Sequence, residues 1–63
     1  TILAKYDKEK RVVRFSRPTR WELYDDSGNI IRYGNSRSVI VGNLKKGNYH
    51  INYDNTQESY KFK

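Results

Sequence analysis

Sixty-three residues with no cysteine, a single histidine and a net charge of +6 exclude a multidomain enzyme, a disulfide-stapled scaffold and a Cys/His metal centre. No apolar run approaches the ~18 residues a membrane-spanning helix needs, and the opening Thr-Ile-Leu-Ala-Lys is too short for a signal peptide. A chain this short buries only about 60% of its unfolded surface, so the expectation is a domain that leans on a neighbouring domain or partner. With threonine first and no methionine, the expectation is that residues 1–63 are one domain, a processed or excised piece of a longer chain.

Charge is uneven along the chain. The first twenty residues carry Lys5, Lys8, Lys10, Arg11, Arg14, Arg17 and Arg20 against only Asp7 and Glu9, and the remainder is nearly balanced. A basic third of this kind suits an anionic partner, but solvent-facing strand positions in small β proteins are commonly Lys and Arg, which also discourage edge aggregation. The second explanation is preferred.

Period-2 alternation of apolar residues dominates and no helical stripe is present. Short strands are expected over residues 2–6, 10–16, 19–25, 29–33, 38–41, 48–53 and 59–63, about seven in all. Their inward phases nominate Val13, Phe15, Trp21, Leu23, Ile30, Val39, Val41, Leu44, Tyr49, Ile51 and Phe62 as core, with Tyr53 on an inward phase and Tyr24 and Tyr33 outside. Every glycine precedes an asparagine (Gly28-Asn29, Gly34-Asn35, Gly42-Asn43, Gly47-Asn48), and both residue types tolerate the positive φ of tight turns. Residues 54–57 read as a further turn, and Pro18 as a break between strands. Strands at this spacing predict an all-β fold, an antiparallel sandwich or barrel and not a βαβ arrangement.

Catalytic constellations are not evident. His50 falls on the outward phase of its strand, where any polar residue is tolerated, and Asp25-Asp26-Ser27-Gly28-Asn29 lacks the spaced acids and closing glutamate of a calcium loop. The reading is a non-enzyme with no metal and no cofactor. Nine aromatics beside a basic segment admit single-strand stacking, but most lie on inward phases and no nucleic-acid module motif accompanies them, so a nucleic-acid partner is disfavoured.

Two stretches carry a family resemblance. Trp21-Glu22-Leu23-Tyr24-Asp25-Asp26-Ser27-Gly28-Asn29-Ile30-Ile31 resembles the strand-turn-strand motif, and Leu44-Lys45-Lys46-Gly47-Asn48-Tyr49-His50-Ile51 the Leu-x-x-Gly-x-Tyr motif, of type A C-terminal domains of the type IX secretion system of Bacteroidetes. Val12-Val13-Arg14-Phe15-Ser16-Arg17-Pro18 and the terminal Tyr60-Lys61-Phe62-Lys63 are similar to that family's preceding strand and short basic last strand, so the likeness covers residues 10–63. The resemblance implies an Ig-like sandwich that follows a secreted hydrolase or adhesin through the periplasm to the outer-membrane surface or medium. The translocation machinery would recognise it, and a sortase-like cysteine protease would remove it. Motif residues carried over are Tyr24, Asp25, Gly28, Leu44, Gly47, Tyr49 and Lys63. The alternative class is an autonomous small basic binding module, for nucleic acid or as a protease inhibitor.

Overall fold

A computed structural model describes residues 1–62. Lys63 lies outside the described residues. Five antiparallel strands form one curled sheet: β1 (Ala4–Asp7), β2 (Val12–Tyr24), β3 (Ile30–Ile40), β4 (Gly47–Tyr53) and β5 (Thr56–Phe62). The long β2 organises them. β3 pairs along one side of it, while β1 and β4 share the other side, β1 against residues 12–15 and β4 against residues 21–24. β5 pairs with β4.

The all-β expectation holds, and the count is five strands instead of about seven. Two expected breaks do not break the chain. β2 runs through Pro18, and β3 runs through Gly34-Asn35. Both features serve one corner of the β2–β3 hairpin. Arg14 faces Ser38 and Thr19 faces Ser36, so five steps of β2 oppose two of β3. Such a bulge bends a strand, and Pro18 sits where its missing N–H is not needed by the ladder. Beyond the corner the hairpin folds back so far that Arg32 Nη1 donates to the Ile40 carbonyl at 3.1 Å. The sheet thereby encloses its own apolar face.

Gly34 has a packing reason and not a turn reason. It pairs with Trp21, and a Cβ there would lie 2.9 Å from the indole ring, closer than real Cβ contacts come. The indole covers the glycine and its N–H donates to Ser36 Oγ at 3.1 Å. Positive φ is confined, among the glycines, to Gly28 (86°) and Gly47 (156°). The β4–β5 turn needs none: Asp54 and Asn55, both with positive φ, form the two-residue loop whose twist matches a hairpin.

The buried core is Val13, Phe15, Leu23, Val39, Val41, Tyr49, Ile51, Tyr53 and Phe62. Trp21 and Leu44, expected inside, are half-buried and pack against it. Ile30 is a correction: it is exposed, because a second irregularity sets Leu23 opposite Arg32 but Tyr24 opposite Ile30, shifting Ile30 off the inner phase. Leu23→Ala should cost about 2–5 kcal/mol, comparable to the whole stability of so small a domain, whereas Ile30→Ala should leave the melting temperature nearly unchanged. Thermal melts followed by circular dichroism check this, and equal losses in the two variants would contradict the assigned inner face.

Candidate functional site

The motif residues gather at one end of the sheet because the strands that carry them are antiparallel neighbours. β2 ends at Tyr24, directly opposite His50 midway along β4, and β4 reaches past that point to Gly47, which faces Phe62 at the end of β5. The 25–29 turn, the 42–46 connection and the end of the last described strand therefore share this end.

Each turn is held by local polar chemistry. Asp25 Oδ1 accepts the backbone N–H groups of Ser27 and Asn29, each at 2.9 Å, while the Gly28 N–H donates to the Asp25 carbonyl at 3.0 Å. Those N–H donors, Asn29's first, hold the Asp25 carboxyl below its ordinary range. Gly28 supplies the left-handed residue that lets the turn close. Tyr24 donates its hydroxyl to Glu22 Oε1 at 3.3 Å, and partial burial followed by that carboxylate raises its pKa. In the second motif Leu44 packs against the core and its N–H donates to Val41 O at 3.2 Å. Tyr49 is buried, stacks on Phe62 with ring centroids 5.2 Å apart, and donates its hydroxyl to Lys45 O at 2.7 Å. That last bond ties the 42–46 connection to the core. Lys63, the remaining motif residue, is outside the described residues.

His50 lies on the outer face of β4 with Nδ1 2.9 Å from Ser59 Oγ on β5. Among the described residues no hydrogen bond joins its ring to a carboxylate, the orienting contact a Ser-His nucleophile uses. No group of three His, Cys, Asp or Glu side chains with metal-holding geometry occurs among the described residues.

The basic first third is partly neutralised where it is densest. Lys5 and Arg14 are cross-strand neighbours, Arg14 Nη1 pairs with Asp7 Oδ2 at 3.5 Å, and Asp7 Oδ1 accepts the Glu9 and Lys10 N–H groups at 3.1 Å. A hollow of about 410 Å³ here is lined by both acids of the segment as well as by Lys5, Lys8 and Arg14.

One polar cluster escapes the alternation rule. Glu58 falls on the inner phase of β5 and accepts the hydroxyls of both Tyr53 and Tyr60, the latter at 2.9 Å. Tyr6 packs on Phe62 and Tyr60 with centroids 5.0 and 6.1 Å away. These contacts close the seam between β1 and β5 through side chains. The available signal was the shared phase of Glu58, Tyr60 and Phe62.

Comparison of the chain with family models, with curated proteins and with solved structures finds no match.

Burial, then the Glu58 carboxylate, pushes the Tyr53 phenol from its ordinary value of 10 up to about 12. The folded state thus holds this proton more tightly than the unfolded state. Its contribution to stability is complete below pH 10 and is lost as pH rises through 12. Melting temperatures measured across that interval should fall, and Tyr53→Phe should be less stable at neutral pH with a shallower alkaline fall. An unchanged alkaline slope in the variant would show that the seam does not depend on this phenol.

Proposed function

We propose that this chain is a non-catalytic sorting or accessory domain of a larger secreted or surface protein, a hydrolase or adhesin, recognised by outer-membrane translocation machinery after passage through the periplasm. The observation that carries the reading is the convergence at one end: the Tyr24–Gly28 turn, the Leu44–Tyr49 segment and the end of β5 meet there. Two motifs separated by fifteen residues of sequence come to lie at the same end of the sheet as the last strand's end. Its shape is set by backbone hydrogen bonds and buried anchors, which gives a receptor a rigid feature to read. An Ig-like sandwich is the finer form of the fold under this reading. The curled five-stranded sheet is its coarser basis, with the folded β2–β3 hairpin supplying strands to both sides of the core.

The alternative, an autonomous basic module for nucleic acid or a protease, has less behind it, since Asp7 and Glu9 sit among the bases of the first third. The test is a fusion of residues 1–63 behind a signal peptide and a fluorescent reporter, in a bacterium with the type IX machinery. The reporter should reach the surface or medium. Removing residues 59–63 should hold it in the periplasm, because the loss of Phe62 uncovers Tyr49 in the core. Gly47→Val should act likewise, a β-branched residue fitting φ 156° poorly. A reporter that stays periplasmic behind the intact domain would defeat the sorting reading.

A further inference from the structure

The sheet has three strands with an unbonded side, and two of them face each other. β1 and β5 meet across the seam filled by Tyr6, Tyr53, Glu58 and Tyr60. β3 pairs with β2 and comes close to no other strand among the described residues, which leaves its second side unbonded. The exposed large apolar side chains concentrate there. Ile30, Ile31, Tyr33 and Ile40 are 49, 40, 75 and 65% exposed, and Leu3 is the remaining one. Trp21, Ile30, Ile31, Arg32 and Tyr33 line a hollow of about 320 Å³ beside this edge. A strand edge flanked by apolar side chains is a template for another strand.

Charge decides which strand. β3 carries Arg32 and Arg37 and no acid, and Arg20 lies beside it opposite Asn35. The one ion pair among the described residues is Arg14–Asp7, so all three of these guanidinium groups lack a carboxylate partner. Arg32 and Arg37 each spend one N–H on a carbonyl, of Ile40 and Ser16, and keep others for a partner. A second copy would bring an equally acid-free strand on a chain of charge +6. Arg32 on the inner phase then acts as the inward-pointing charge that blocks self-pairing.

We infer that the free edge of β3 between Ile31 and Ser36 is a strand-addition site for an extended segment of another protein in which acidic and apolar residues alternate. Main-chain hydrogen bonds supply the pairing, Ile31 and Tyr33 cover the apolar positions on one face, and Arg32 on the opposite face meets the acids. The site does not depend on the sorting reading.

The probe is a short synthetic peptide alternating valine and glutamate, with a valine–lysine counterpart, titrated into the full chain. Amide hydrogen exchange should slow at every second residue between Ile31 and Ser36, the pattern of a newly bonded edge. Tyr33→Glu, at a position too exposed to disturb folding, should weaken binding about tenfold through lost contact and like-charge repulsion. Ile31→Glu should act in the same direction, and both variants should keep the parent melting temperature. No binding, equal binding of the lysine peptide, or protection spread over consecutive residues would each overturn the inference. Protection of β3 that grows with protein concentration alone would assign the edge to a second copy and overturn it as well.

Discussion

A sheet with one apolar face and no helix to cover it must cover itself, and the bent β2–β3 hairpin is how this chain does so. The corner at residues 14–19 of β2 and 36–38 of β3 turns one ladder into two facing walls. Val13, Phe15 and Val39 come from one wall, Leu23 from the other, and β4 and β5 add Tyr49, Ile51, Tyr53 and Phe62. The rest depends on that fold-back. Without it Arg32 could not reach the Ile40 carbonyl, and Tyr6 of β1 could not pack on Phe62 of β5. Small size makes the constraint severe, since few side chains share the work of offsetting chain entropy.

Much of this architecture was legible in the alternation. Phases read from sequence identified Val13, Phe15, Leu23, Val39, Val41, Tyr49, Ile51 and Phe62 because a strand period of two is set by backbone geometry and not by context. Pro18 and Gly34-Asn35 were misleading for a physical reason. A proline needs a place where no N–H is required, and a glycine a place where a Cβ would collide. A turn satisfies both needs, but so do a bulge at a corner and an indole lying across a strand. Local chemistry was read correctly while the tertiary use of it was hidden. Ile30 was lost in the same way, to a bulge that no residue type announces.

The turn chemistry transferred better. Asp25 caps the 25–29 turn through its carboxylate and Gly28 closes it with a positive φ, and Tyr49 reaches back to Lys45 from the core. What sequence could not supply was adjacency, since the pairing of β2 with β4 is a long-range choice. Glu58 shows the complementary failure. An acid on an inner phase looks like an error in the pattern until Tyr53 and Tyr60 are brought to it, after which it is the polar half of the β1–β5 seam. The surface divides accordingly into a turn end tied by local hydrogen bonds and a β3 edge with an unbonded side.

The whole arrangement requires β3 to be one strand paired with β2 on both sides of the corner. Nuclear Overhauser contacts in solution measure this directly. Cross-strand contacts are expected for Arg20 with Asn35 and Trp21 with Gly34 as well as for Arg14 with Ser38, together with a strong ring-current shift of the Gly34 α-protons under the Trp21 indole. A tight turn at Gly34-Asn35, seen as contacts between Tyr33 and Ser36 with the Trp21–Gly34 contact absent, would restore the seven-stranded arrangement and contradict the folded hairpin.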